Sequence, residues 1–134
     1  MNDRGVWNDI TPPALANAGM VTDASWSDTD GDKDLDLVVV GDWMPMTVYV
    51  NENGLFENRI AVPNSNGWWN RIEAADLDGD GDLDLVPGNW GLNTKFKASV
   101  QRPLTMFVNH FDKNGKSEFI INWYPPMDSI YYPF

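Results

Sequence analysis

One nine-residue pattern, present twice, limits what this chain can fold into more than any other feature. DTDGDKDLD (residues 28–36) runs directly into LVVVG, and DLDGDGDLD (residues 76–84) runs into LVPG. At an offset of 48 residues, Asp28, Asp30, Gly31, Asp32, Asp34, Leu35, Asp36, Leu37 and Val38 recur as Asp76, Asp78, Gly79, Asp80, Asp82, Leu83, Asp84, Leu85 and Val86. Nine matched identities at one offset mark an internal repeat, and a repeat of this period implies an array of supersecondary units. Each copy also crowds five aspartates into nine residues. A free acidic tail would relieve their repulsion by extending, but the apolar residues that follow tie each copy to a core strand. A bound cation resolves the conflict.

The 134 residues amount to one domain or a piece of a larger one. A formal charge of −11 argues against nucleic acid or an anionic membrane as partner. Ten of the 20 acidic residues sit in the two loops, so two bound divalent cations would bring the charge from −11 to −7. The acidity is local chemistry more than a solvated coat. A 43% hydrophobic share with seven tryptophans suffices for a core and rules against disorder. Cysteine is absent, which excludes disulfides and thiolate metal sites, and no apolar run reaches membrane-spanning length. The opening MNDRGVWNDIT reads as the middle of a repeat and the closing SIYYPF carries no stop signal, so an excised fragment is expected, its targeting sequence lying elsewhere.

The repeat is longer than the acidic loop. Asn2, Gly5 and Trp7 in NDRGVWN recur as Asn51, Gly54 and Phe56 in NENGLFEN at offset 49. One unit reads as a strand over 20–27, the loop, a strand over 37–41, a break at Met44 and Pro45, a strand over 47–51, a turn at Asn53 and Gly54, and a strand over 55–58. Four short strands in about 48 residues match a β-propeller blade. The expected fold is therefore all-β, about two tandem four-stranded blades cut from a larger propeller. Residues 1–19 would end a preceding blade, 20–67 form one blade, and 68–134 form a second with an insertion near 91–103 and a long hairpin over 104–124.

That last hairpin admits two alignments. LTMFVN and FIINWY can be the third and fourth strands of the second blade, since Thr105, Val108 and Asn109 match Thr47, Val50 and Asn51 at offset 58. Alternatively, HFDKNGKSE can be laid on the acidic loop, with His110, Asp112, Asn114 and Glu118 at its first, third, fifth and ninth positions. The first alignment is preferred, because 91–103 leaves little room for two more strands.

Hard oxygen ligands at alternating positions suit calcium, which takes six to eight oxygens in flexible geometry; magnesium demands a stricter octahedron and keeps several waters. In a looped nonapeptide the side chains at positions 1, 3, 5 and 9 can converge on one ion while position 7 offers its carbonyl. This assigns Asp28, Asp30, Asp32 and Asp36, with Asp34 through its backbone, and likewise Asp76, Asp78, Asp80 and Asp84, with Asp82. The carboxylate of Asp34 is then left exposed. An EF-hand fails, because its twelfth position would be Val39 or Pro87 in place of glutamate and a strand follows where a helix should. Asp112, Asn114 and Glu118 make a weaker third candidate, so two calcium ions are expected, with a third at most.

With these residues in view, the chain resembles the FG-GAP/VCBS repeats of integrin-α-like β-propellers and, more narrowly, the ASPIC/UnbV group of bacterial relatives of cartilage acidic protein. The resemblance rests on the two loops, GMVTDASW (19–26), VVVGDWMP (38–45), GNWGLN (88–93) and HFDKNG. Lys33, where the second copy has Gly81, departs from the pattern. The resemblance implies calcium between the first two strands of each blade, an extracellular, cell-surface or periplasmic setting, and a ligand-binding rim opposite the calcium loops. Asp42 and Trp43, and then Asn89 and Trp90, fall on that rim.

Two readings stand for those tryptophans: a face that stacks on a glycan or protein ligand, or packing between blades. The favoured function is a non-catalytic calcium-binding module for adhesion, protein association or glycan contact. The alternative is part of a polysaccharide lyase or glycosidase, which needs two placed carboxylates outside the loops. Asp23, Asp42, Glu52, Glu57, Glu73 and Asp128 are available, but no spacing pairs them, and His110 is the single histidine. Two blades cannot close a ring, so edge-to-edge self-association is expected of this segment alone.

Overall fold

The computed structural model describes residues 2–91, 93–125 and 132–133; Asp128 lies outside them. The described residues are all-β with antiparallel pairing and contain no helix. Two compact units divide the chain, Met1–Trp90 and Gly91–Phe134.

The first unit opens with a minimal hairpin, β1 (Asn2–Asp3) and β2 (Val6–Trp7), joined through Arg4 and Gly5 at φ 50° and 88°. A four-stranded meander follows: β3 (Met20–Ser27), β4 (Asp36–Met44), β5 (Thr47–Glu52) and β6 (Leu55–Ala61). Asn53 and Gly54 join β5 to β6 with φ 56° and 89°, the paired left-handed conformations of the two-residue turn whose twist suits a hairpin. The same turn geometry at Arg4–Gly5 accounts for the offset-49 match between the two segments. β7 (Gly67–Ala75) and β8 (Asp84–Asn89) form a second loop-bearing hairpin.

β4 organises this unit because it is buried on both faces, which is why VVV occupies its centre where an alternating pattern would mark a half-exposed strand. Val38 and Val40 pack with Ile72, flanked by Trp69 and Leu85 of the second hairpin. Val39, on the other face, packs with Met44 and Tyr49 under Ala14, Leu15 and Ala18. Those alanines and the leucine come from a pair of turns anchored by the Pro12 carbonyl, which accepts from the Leu15 and Ala16 amides. The Tyr49 side chain is fully buried, and its hydroxyl has no hydrogen-bond partner among the described residues.

β4 runs three residues beyond the expected end at Gly41, because Asp42 and Met44 pair with Trp68 and Gly67 of β7. Between them Trp43 adopts φ 60°, a left-handed conformation unusual for a bulky side chain, at a register shift. β3 covers one edge of β4 up to Asp42, so β5 and β7 divide the other. Gly41 permits the close approach of β3: a Cβ there would lie 2.1 Å from the Met20 carbonyl oxygen.

In the second unit, β9 (Thr105–Asn109) and β10 (Glu118–Trp123) pair with each other, and β10 pairs with β11 (Tyr132–Pro133) in a three-stranded sheet. Phe96 meets Trp123 edge-on at 5.7 Å, and the Arg102 guanidinium lies 4.1 Å from the Tyr124 ring centre.

Candidate metal centre

Residues 28–36 join β3 to β4 and residues 76–84 join β7 to β8, and each loop closes on the pair formed by the residue before it and its ninth residue: Ser27 with Asp36, Ala75 with Asp84. The two loops share a lattice of amide-to-carboxylate hydrogen bonds. The first aspartate accepts from the amides at positions 4 and 6: Gly31 and Lys33 donate to Asp28 at 2.7 and 3.0 Å, Gly79 and Gly81 to Asp76 at 2.7 and 3.1 Å. Position 5 donates to position 3 (Asp32 to Asp30, Asp80 to Asp78, both 3.2 Å), and position 7 to position 5 (Asp34 to Asp32, 2.8 Å; Asp82 to Asp80, 2.9 Å). Position 2 donates to the ninth carboxylate, Thr29 to Asp36 at 3.0 Å and Leu77 to Asp84 at 3.1 Å. This lattice requires left-handed backbone at positions 4 and 6, supplied by Gly31 and Lys33 (φ 82° and 78°) and by Gly79 and Gly81 (80° and 98°).

The aspartates come together as hard oxygen clusters. One carboxylate oxygen each from Asp28, Asp30 and Asp32 lie within 4.8 Å of one another, and the same holds for Asp76, Asp78 and Asp84. All six are exposed, so water and ions reach them. The Asp30 carboxyl shows the electrostatic tension: the Asp32 amide favours its ionised form, but desolvation and the charges of Asp32, Asp36 and Asp28 together outweigh that bond and push it up. A divalent cation would relieve the repulsion, and an all-oxygen carboxylate set suits calcium over softer metals. The residues present therefore fit the ion, with Asp80 and Asp82 beside the second cluster and Asp34 beside the first.

Asp36 is positioned differently from its counterpart Asp84. Its side chain is fully buried, where Asp84 is exposed. One oxygen accepts from the Asn51 amide at 2.8 Å, and the other from the amide and hydroxyl of Thr29. Burial alone would raise the Asp36 carboxyl; the Thr29 hydroxyl, the Asn51 amide and the Thr29 amide overcome it and hold the group low. Asn51 also donates its side-chain amide to the Leu35 carbonyl at 3.0 Å and accepts from Gly54 at 2.7 Å. Asp34 is half-buried instead of freely exposed, because its carboxylate accepts from the Asn53 amide at 3.3 Å. Sequence reasoning passed over Thr29, Asn51 and Asn53 as loop supports. Asn51 carried a signal, its recurrence in the offset matches, but that signal marks a repeat position and not a bond.

The segment 110–118 adopts the loop template. Asn109 pairs with Glu118, Phe111 donates to Glu118 at 2.7 Å, Asn114 to Asp112 at 3.0 Å and Lys116 to Asn114 at 2.8 Å, the same positions as in the aspartate loops. Lys113 and Gly115 hold the left-handed positions 4 and 6, with φ 59° and 86°. At position 1, His110 brings a ring nitrogen 2.9 Å from the Lys116 carbonyl. Among the described residues, Asp112 and Glu118 do not gather with a third metal-binding side chain.

At the ends of the strands away from the loops, Trp43, Trp68 and Trp90 form an edge-to-face series, with ring centres 5.2 Å apart for the first pair and 6.4 Å for the second. Trp90 is 51% exposed, and Asp42 and Trp43 are half-buried. The Asn89 side chain packs over Gly67, whose Cβ would lie 2.4 Å from its amide nitrogen. Elsewhere, Asp23 is engaged in holding strands together: it accepts from the Ile72 amide at 3.0 Å and lies 3.5 Å from Arg71, which also reaches Glu73.

No curated protein and no solved structure matches the chain. Residues 28–86 match the family model described as an FG-GAP-like repeat. The matched stretch begins at the first aspartate of one loop and ends two residues past the other, so it holds both oxygen clusters and the meander between them and supports an FG-GAP repeat protein.

Proposed function

We propose that residues 28–36 and 76–84 bind one calcium ion each and that the chain is a non-catalytic repeat module whose strands are pinned by those ions. The observation that carries this reading is the pair of three-carboxylate clusters, each within 4.8 Å, built on one hydrogen-bond lattice. Asp28, Asp30, Asp32, Asp76, Asp78 and Asp84 supply the gathered oxygens; Asp80, with the backbone of Asp34 and Asp82, completes the shells. Asp36 serves the first ion through the shape it imposes on the loop. At ~10 μM affinity and ~1 mM calcium, each ion would add about 2.7 kcal/mol to stability. Such calcium levels accord with an extracellular, surface or periplasmic setting.

β1–β2 supports the assignment of residues 1–19 to the end of a preceding blade, and β3–β6 that of residues 20–67 to one blade. The loop template over 110–118 favours reading β9–β10 as the opening hairpin of a further unit, over the preferred alignment of those strands to the end of the second blade. The segments 19–26 and 88–93 support placement near the ASPIC/UnbV group. On the rim, Trp43, Trp68 and Trp90 offer aromatic rings, and Asp42 stands opposite Trp68 in the β4–β7 pairing, a combination suited to a neutral glycan, since −11 of net charge disfavours an anionic one. The exposed edge strand β6 supports self-association of the isolated chain.

Calorimetric titration of chelator-treated protein is expected to give two calcium equivalents and a raised melting temperature. Fewer than two, or no thermal gain, overturns the calcium reading. Glycan-array binding that survives Trp90→Ala removes Trp90 from the ligand face.

A further inference from the structure

The third loop keeps the scaffold of the other two while changing the residues that an ion would touch. We propose that His110 takes the place of the cation there: its ring Nδ1–H donates to the Lys116 carbonyl and closes the loop without metal, so calcium governs two loops of this chain and not the third. The calcium half of this statement rests on the function proposed above; the histidine half does not.

Three observations carry it. First, the backbone is already that of a formed loop, with the position 2-to-9, 5-to-3 and 7-to-5 bonds in place and left-handed φ at positions 4 and 6. Secondly, positions 3 and 7 are more fully engaged than in the aspartate loops, where Asp30 and Asp78 each accept an amide on one carboxylate oxygen. Asp112 accepts from the backbone amide of Asn114 on one oxygen and from its side-chain amide on the other, at 3.0 and 2.6 Å. The position-7 carbonyl, the backbone ligand in the calcium reading of the aspartate loops, is the group that meets His110 at 2.9 Å. A carbonyl can only accept, so the ring nitrogen must be the donor. Thirdly, the charge that calls for a cation is gone. The first loop carries five aspartates against Lys33, net −4, and the second five aspartates, net −5; in the third, Asp112 and Glu118 are balanced by Lys113 and Lys116, net 0. Without mutual repulsion to relieve, one neutral donor is enough to tie position 1 to position 7.

His110 is the chain's single histidine, so its ring resonances are unambiguous. Long-range proton–nitrogen correlation on the neutral ring is expected to show the Nδ1–H tautomer; the Nε2–H tautomer overturns the proposal. In a calcium titration followed by amide resonances, the two aspartate loops are expected to shift while residues 111–117 stay fixed. Shifts at 111–117 that saturate with calcium would overturn the histidine closure and leave the two-ion reading intact. An Nδ1–H tautomer with no shifts anywhere would do the reverse. His110→Ala is expected to speed amide exchange across 111–117 about tenfold or more with or without calcium, and unchanged exchange counts against the closure; His110→Asn, which keeps a side-chain N–H donor, is expected to recover part of the protection.

Discussion

The two aspartate loops are near-identical in sequence and in backbone, yet the ninth aspartate does different things in them. Asp84 stays exposed and joins the oxygen cluster of its loop, whereas Asp36 is withdrawn into the protein and bonded to Thr29 and Asn51. The difference comes from the neighbouring strand: the end of β5 lies beside the first loop and donates the Asn51 amide, and no such donor reaches Asp84 among the described residues. A motif residue can thus be a ligand in one copy and a structural tie in the next, with its identity unchanged.

The most severe way to break this comparison is to delete the carboxylate itself. In chelator, Asp36→Ala is expected to cost about 3 kcal/mol in chemical denaturation, because it orphans buried donors, while Asp84→Ala costs less than about 1 kcal/mol. Equal losses would show that burial of Asp36 carries no stability. Asn51→Ala keeps the backbone amide that Asp36 accepts from and removes the side-chain bonds to Leu35 and Gly54: about 1.5 kcal/mol should be lost, less than for Asp36→Ala, with faster amide exchange at Gly54 and in residues 29–35. Lys33→Gly probes the one backbone mismatch between the copies. It relieves a left-handed lysine and removes a positive charge, so calcium affinity at the first loop should rise several-fold while metal-free stability changes by under about 1 kcal/mol.

The smallest effect concerns the tie between the two hairpins. Bonds from the Ile72 and Ala24 amides, aided by Arg71, hold the Asp23 carboxyl below its ordinary value. Its contribution is therefore fully present above the unfolded carboxylate pKa near ~3.9 and lost as pH falls through the lower folded value. The Ile72 amide resonance should move in that acid window, and Asp23→Asn should abolish the movement.

Much of the first unit was legible because local signals and tertiary demand agree there. Alternation and turn chemistry place β3 over 20–27 and β5 from Thr47, and Asn53–Gly54 is the sequence form of its turn. The extension of β4 to Met44 was not legible, since it exists only because β7 pairs with its end. Nor was the cover formed by Ala14, Leu15 and Ala18, whose PPALANA segment lacks any strand or helix period. The spacing of HFDKNGKSE already matched the acidic loop, but a hairpin with either alignment has the same strands. What separates them is the pattern of amide bonds at Phe111, Asn114 and Lys116, which composition does not encode. At the rim, the repeated tryptophans were visible, but which rings would touch depends on the bulge at Trp43.

That row of indoles has an optical consequence. Rings held edge-to-face at 5.2 and 6.4 Å bring their electronic transitions close enough to couple, so Trp43, Trp68 and Trp90 should produce a distinctive exciton band in the far-ultraviolet circular dichroism, where the strong indole transition lies. Since each ring sits at the end of a different strand, the band reports whether β4, β7 and β8 keep their register. The molecule carries its own gauge of how firmly its two hairpins are joined.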